Sequence, residues 1–374
     1  MTASGAPAAG RLPAPGKARV ARPGGAMLAL LIAAVFPLVF TNPAVTSIGV
    51  FTLIYMAAAV AWNAFSGYSG YIALGHAVFF GSGAYTLALT AQDLHLKGGY
   101  LIFALLPLAG AVSAAVAVPF GLIALRTRRH TFVVITIAIF FIFQLLAYNL
   151  GVTGGSAGVQ APLPVWPAAT FNDRFYYVAL VIVVLALAVS WLIRRSRFGL
   201  QLLAIRDDED RARGLGVRTG QVKLAAFVIS AVPTGLAGGL WVYFVGQVYP
   251  QFGFDPQFDI SVALMAFLGG LGTLSGPVLG ALLLEPLQQY FTLRFSAGSL
   301  YLIIYGALFL LVIMLLPRGI IPTVSAWLRS RRERRERGRQ GGSPAAHQGP
   351  VAEGPEAVSA GAEQPPTARR GVAP

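Results

Sequence analysis

Cysteine is absent from this 374-residue chain, which excludes disulfides, thiol catalysis and thiolate metal sites. Charge is scarce as well: Asp, Glu, Lys and Arg make up 11% of the residues, where soluble domains carry roughly 25%. No GxxxxGK[ST] loop is present, so the chain has no phosphate cradle with which to hydrolyse nucleotide. What fills the space is apolar, 56% of the residues with a mean hydropathy of +0.68. Such a chain is an integral membrane protein. Its uncharged runs reach the ~18 to 20 residues that cross a hydrocarbon core as helix, and they lack the alternating pattern of about ten residues that marks a barrel strand. The expected fold is therefore all-α, a polytopic bundle of transmembrane helices. The net charge of +14 suggests nucleic acid at first sight, but the basic residues flank apolar segments, which points to a membrane surface and away from nucleic acid.

The spans are expected near 26–41, 45–65, 71–91, 100–125, 131–150, 175–193 and 223–245, then a glycine-broken region at 259–290 and a last span near 300–316, about eight to ten crossings in all. They belong to a transmembrane domain over 26–317, preceded by a polar leader at 1–25. The leader and the run after it resemble a signal peptide, but no small-residue cleavage site follows, so the run reads as retained. Residues 318–374, rich in Arg, Glu, Gly, Pro and Ala, read as a disordered tail whose first arginines touch anionic lipid.

Basic residues near span ends stay on the cytoplasmic side. With the N-terminus inside, that side receives all of the 28 Lys and Arg residues except Lys97, Arg174 and Arg294. Both termini are then cytoplasmic. Parity follows: the chain enters 259–290 from outside and leaves it on the outside, so the region is either re-entrant or makes two short crossings with GGLGTLSGP as the turn.

Without a hydrophobic drive between helices in lipid, small residues permit close backbone approach. Gly272, Gly276 and Gly280 form two successive GxxxG steps, and Gly235, Gly238 and Gly239 line a second helix. The stretch SGYSGYIALGHAVFFGSGAY, residues 66–85, makes a weak, bendable segment around the only histidine inside a span. His76 reads first as a neutral imidazole bonded within the core, and second as a functional group at membrane depth. Glu285 is the other buried ionisable candidate. Few carboxylates face the interior, which argues against an ion-coupled carrier, and no facing pair of catalytic groups suggests an enzyme. An apolar pore with no ion site and no energy source of its own is then either passive or borrows its energy.

The acidic residues are unevenly spread. Asp207, Asp208, Glu209 and Asp210 stand side by side in the 194–222 loop, between Arg206 and Arg211. Apolar residues at helical spacing and glycines at 214 and 216 predict a short exposed helix over 206–213 with a glycine stop. Read from pattern alone, it is either a solvated loop or a docking element.

Several blocks, in order and spacing, resemble permeases of branched-chain amino acid ABC importers of the LivM type: GYSGYIALGHAVFFGSGAY, TGGSAGV at 153–159, SRFGLQLLAIRDDEDRARGLGV, KLAAFVISAVPTGLAGGL and LGGLGTLSGPVLGALLL. The resemblance covers residues 45–320. It implies that the acidic loop is a coupling element, with Arg206, Asp207, Asp208 and Glu209 touching an ATPase and Gly214 and Gly216 shaping its exit. It implies a bacterial inner-membrane location, a homologous second permease of the LivH type, two ATP-binding subunits and a periplasmic or lipid-anchored solute-binding protein. This chain would bind no cofactor itself, ATP being held by those partners. Tyr71 and Ala157 stand where members often carry Gln and Asp. The resemblance further implies transport of branched-chain amino acids or related small amino-acid or amide solutes; a stand-alone channel or ion-coupled secondary carrier for a small neutral solute is the alternative. The path is expected among 66–85, 131–150 and 259–280, lined by Gly70, Gly75, His76, Phe79, Tyr85, Thr136, Gln144, Gly269, Gly270 and Gly272.

Overall fold

The computed structural model describes residues 23–164, 166–294, 306, 307, 310, 314, 319–327, 330 and 331. Almost all of the expected leader, most of the last span and most of the tail lie outside the described residues. The chain divides into two units, Met1–Ala326 and Trp327–Pro374. In the second, the Arg331 guanidinium lies 3.9 Å above the Trp327 ring.

Among the described residues of the first unit, regular structure is helical apart from one two-residue strand pair. Its helices are α1 (Pro23–Val39), α2 (Pro43–Trp62), α3 (Ala77–Asp93), α4 (Leu106–Ala124), α5 (Arg129–Asn149), α6 (Ala168–Arg195), α7 (Arg197–Asp207), α8 (Glu209–Gly214), α9 (Thr219–Val245), α10 (Pro250–Gly253), α11 (Pro256–Gly269) and α12 (Gly276–Arg294). Among the described residues, five helical stretches are long and apolar enough to cross a membrane: Pro43–Gly67, Tyr100–Ala124, Arg129–Asn149, Thr170–Arg195 and Thr219–Val245. The shorter α1, α3, α11 and α12 pack against these helices. Leu122, Ile123, Val134, Ile142, Leu145, Val181 and Leu192 point outward and exposed. That arrangement suits hydrocarbon and not water.

The strand pair β1 (Val159–Gln160) and β2 (Gln247–Val248), which is antiparallel, marks one end of the bundle; α7 and α8 mark the other. These are called the strand end and the loop end below. Helix α9 is the axis, packed between α3 and α4, while α2 lies against α6 on one side and α11 and α12 on the other. Close approach explains this order. A Cβ on Gly238 would overlap the carbonyl oxygen of Phe80 in α3, and one on Gly83 would overlap that of Gly235. On the far side of α9, Gly239 rests on Ala109 of α4. The glycines anticipated on this helix thus serve backbone-to-backbone packing, the means of association left when lipid is as apolar as the side chains.

Residues 259–290 form a helical hairpin, the shape that both alternatives share. Helices α11 and α12 run antiparallel, and their turn, 270–275, reaches the loop end beside Asn63. Asn63 fastens it from both sides, donating from Nδ2 to Thr273 O (2.9 Å) and accepting at Oδ1 from Gly272 N (2.8 Å). Gly276 and Gly280 act inside the hairpin, where Gly280 faces Met265 O. Gly272 is a turn residue at φ 77° and not a helical step.

One expected span is shorter than the hydropathy suggests. Residues 71–76 are not helical, and α3 starts only at Ala77. After the π-helical segment Asn63–Gly67 the chain turns at Gly70 (φ 74°) and runs back beside the end of α2, where Trp62 Nε1 donates to Ala73 O (2.8 Å).

Candidate functional site

Irregular backbone at membrane depth survives only where protein satisfies it or water reaches it. Segment 68–76 is satisfied by side chains. Ala73 N donates to Ser66 Oγ (3.3 Å), Leu74 N to Thr136 Oγ1 (3.2 Å) and Ala77 N to Asp259 Oδ1 (3.0 Å). Four separate stretches, α2, its π-helical continuation, α5 and α11, therefore hold one short piece of chain. The segment is a junction.

At the loop end this junction meets the acidic loop. The expected single helix over 206–213 is two helices broken at Asp208, whose backbone is extended (φ −155°, ψ 108°). The break follows from capping: Asp208 Oδ1 accepts from Arg211 N (3.0 Å), which starts α8 afresh. Helix α7 is anchored to the bundle. Arg206 Nη1 donates to Gly67 O (2.7 Å), and its side chain lies across the Cα faces of Gly70 and Gly272. A Cβ on Gly70 would stand 3.0 Å from Arg206 Cγ. From α5, Arg129 Nη2 donates to Ile205 O (2.9 Å) and Arg206 O (2.6 Å), serving the open carbonyls at the end of α7.

Glu209, the first residue of α8, also turns inward. Its carboxylate accepts from Lys223 Nζ of α9 (2.8 Å) and, at the other oxygen, from the Tyr71 hydroxyl. Burial alone would raise the Glu209 carboxyl, but the hydrogen bonds from Lys223 and Tyr71 outweigh it and hold the group below its ordinary range. A depressed carboxyl contributes stability above its unfolded value of 4.5, lost as pH falls through the folded one. The Glu209–Lys223 pair is thus expected to stay intact from neutral pH down to 4.5, and to break only in stronger acid, as followed by the chemical shift of a 13C-labelled Glu209 carboxyl.

The six residues expected to carry coupling therefore divide. Arg206 and Glu209 face the bundle, whereas Asp207 is exposed and Asp208 half-buried. Gly214 closes α8, and Gly216 takes the left-handed conformation (φ 88°) just beyond it. Beside them Asp210, Arg211, Arg213 and Leu215 are exposed, the leucine by 85%.

The expected path residues also divide. Gly70, Gly269, Gly270 and Gly272 lie in or beside the turns of the loop end: Gly269 faces Gly276, and Gly270 abuts Pro322. They do not share a wall with the rest. His76 and Phe79 are fully buried with Phe65, Phe120 and Phe227, and His76 Nε2 is 3.1 Å from Ser230 Oγ. Gly75 leaves room for the Phe120 ring, and Thr136 caps Leu74. Tyr85 and Gln144 converge nearer the strand end on Phe254, the tyrosine stacked at 5.8 Å and Gln144 Nε2 donating to Phe254 O (2.7 Å). Beyond them two clefts open beside the strand pair. One of about 490 Å³ is lined by Gln92, Gln160, Gln247 and Leu163 among others, and one of about 400 Å³ by Gly151, Gly154, Ala157 and Gly158 among others. Their walls expose amides and backbone and carry no charged side chain.

Three residues of the site escaped sequence reading. Lys223 counted only as a basic residue beside a span, Arg129 likewise, and Asp259 lay at the edge of an apolar region. Asp259 corrects the expectation of a nearly carboxylate-free interior, since both it and Glu285 are buried. Its oxygen is occupied in capping α3. Asp259→Ala is expected to lower stability by about 1 to 2 kcal/mol, the cost of a lost cap, seen as a lower Tm in detergent. Asp259→Asn keeps the acceptor and should retain the parent Tm.

The geometry is that of a helix bundle in which an acidic loop is bonded to an irregular segment between helices. The sequence profile of the family described as "Branched-chain amino acid transport system / permease component" matches residues 44–313. The chain is 32% identical to the high-affinity branched-chain amino acid transport system permease protein LivM of Salmonella typhimurium, over 79% of this chain and 74% of that one. Against LivM of Escherichia coli it is 30% identical over the same shares. A shorter match, 34% identical over 29% of this chain and 32% of the relative, is to the autoinducer 2 import system permease protein LsrC of Yersinia pestis. No solved structure matches the chain. The sequence blocks, the bundle and these relatives together place the chain in the family of branched-chain amino acid transport system permease components.

Proposed function

We propose that this chain is one transmembrane half of a bacterial inner-membrane importer for branched-chain amino acids or related small amino-acid or amide solutes. A second, LivH-type permease supplies the other half. Of two ATP-binding subunits, one grips α7 and α8 from the cytoplasm, and a periplasmic or lipid-anchored binding protein delivers solute at the strand end. The loop end is the cytoplasmic one, because Arg126, Arg128, Arg129 and the arginines of 194–218 gather there. Both termini are then cytoplasmic. ATP is bound by the partners; this chain contributes no group to its hydrolysis.

One observation carries the reading: an exposed acidic surface, Asp207 and Asp210, sits on a short helix pair whose inner face is bonded to the irregular segment. A partner that pulls on the outer face moves the inner one. Alternating access is then a rearrangement of segment 68–76 and the helices that hold it. The uncharged clefts at the strand end fit a route for a net-neutral solute, for which neither sign of charge gives an advantage.

The test is reconstitution. The complex of both permeases and both ATPase subunits in liposomes, supplied with the binding protein and ATP, is expected to accumulate labelled leucine, isoleucine or valine. Accumulation without ATPase subunits would overturn the reading in favour of a stand-alone channel or carrier.

A further inference from the structure

The two anchors of the acidic loop differ in kind. Helix α7 is held by side-chain-to-backbone bonds, from Arg206 to Gly67 O at the end of the π-helical segment and from Arg129 of α5 to Ile205 O and Arg206 O. Helix α8 begins after the break at Asp208 and is held by bonds from side chain to side chain. That second anchor is a closed cluster. The Tyr71 hydroxyl donates to one oxygen of Glu209 and accepts from Lys223 Nζ (3.1 Å), while the same ammonium donates to the other oxygen (2.8 Å) and lies 4.3 Å from the Tyr71 ring centre. The Lys223 side chain is 4% exposed and that of Glu209 18%. Tyr71 itself is 1% exposed and packs edge-on against Phe132.

Burial changes what such a pair does. An exposed pair such as Arg211–Asp208 gives way at little cost. In the buried cluster, withdrawal of one member strands an ammonium away from water, so the members move together or not at all. Tyr71 lies inside segment 68–76, three residues before the backbone amide bonded to Thr136 and six before that bonded to Asp259. Lys223 stands in the first turns of α9, the axis of the bundle. The cluster therefore joins α8 of the loop to the irregular segment 68–76 and to the axis helix α9.

We propose that Glu209, Lys223 and Tyr71 form a latch through which displacement of α8 is passed to segment 68–76, making Lys223 and Tyr71 positioning residues for transport. This rests on the importer reading above, since it presupposes ATPase subunits that displace α8. The latch uses the tyrosine as a two-way connector: its hydroxyl touches the loop and the axis, and its backbone is the segment to be moved. Arg213 adds a looser contact to Glu209 at 3.5 Å, outside the buried set.

The absence of cysteine from this chain supplies a clean probe. Ile72→Cys, half-buried and next to Tyr71, is placed in the complete importer in nanodiscs, and its maleimide labelling rate is followed with and without magnesium, ATP and vanadate. The rate is expected to change on nucleotide trapping. In Tyr71→Phe, which removes only the hydroxyl, and in Lys223→Met, the ATPase subunits should still co-purify and hydrolyse ATP. The nucleotide-dependent change in labelling should vanish, and leucine moved per ATP should fall about tenfold, within the usual range of site-to-site coupling. Lys223→Arg, which keeps the charge and the donors, should recover most of the change. A labelling change of full size in Tyr71→Phe and Lys223→Met overturns the latch and leaves the importer standing. A parent complex whose labelling ignores nucleotide, or which holds no ATPase, overturns both.

Discussion

Replacing Gly238 with leucine is expected to abolish the folded bundle. The Cβ alone would overlap the carbonyl oxygen of Phe80, so the neighbour to be displaced is backbone and not a side chain that can change rotamer. Relief requires α3 and α9 to separate along their whole contact, which includes the reciprocal approach of Gly83 to Gly235 and the aromatic cluster of Phe79 and Phe227. Overpacking a well-packed core costs about 1 to 3 kcal/mol and occasionally more; a rigid backbone neighbour places this case at or above the top of that range. The comparison is Gly220→Leu, in the first turn of the same helix, where nothing stands within 4 Å of the added Cβ. Thermal unfolding in detergent should show Gly220→Leu at the parent Tm, while Gly238→Leu is recovered aggregated or not at all. Equal Tm values would mean that α3 and α9 are not packed as described.

The second large effect is expected from reversing the outward charges of the acidic loop. Asp207 and Asp210 are exposed and form no ion pair among the described residues, so Asp207→Lys with Asp210→Lys leaves the fold of α7 and α8 intact. Their negative charge faces whatever docks there. Once buried in a partner's cleft, a charge that loses its counterpart costs about 2 to 5 kcal/mol, more than about thirtyfold in affinity for each. The ATPase subunits should no longer co-purify, and uptake should fall to background. Asp208→Ala, by contrast, removes a helix cap and should weaken α8 by about 1 kcal/mol without reversing any charge. If the double reversal leaves both co-purification and uptake unchanged, the loop is not where the energy enters.

These two experiments probe different depths of inference. Gly235, Gly238 and Gly239 can be picked out in the sequence as a small-residue face, but the identity of what lies against them, Phe80 and Ala109, comes from chain segments more than a hundred positions away. The acidic run Asp207–Asp210 is equally plain, yet its members are not equivalent. Capping at Asp208 resets the helix phase and sends Glu209 towards Lys223, leaving Asp207 and Asp210 outside. A helical pattern drawn through 206–213 without that break assigns the faces wrongly.

Composition and hydropathy were enough to determine a membrane bundle and five of its spans, and the charge pattern singled out the acidic loop. Each of these is a property of a segment against its solvent, summed along the chain, and needs no knowledge of neighbours. Only the tertiary structure decided that α3 begins at Ala77, that Asp259 is its cap, and that Tyr71 meets Glu209 across 138 positions of sequence. Hydrogen bonds in a medium without water must be found within the protein, and which distant group answers an exposed amide or carboxylate depends on how the helices pack.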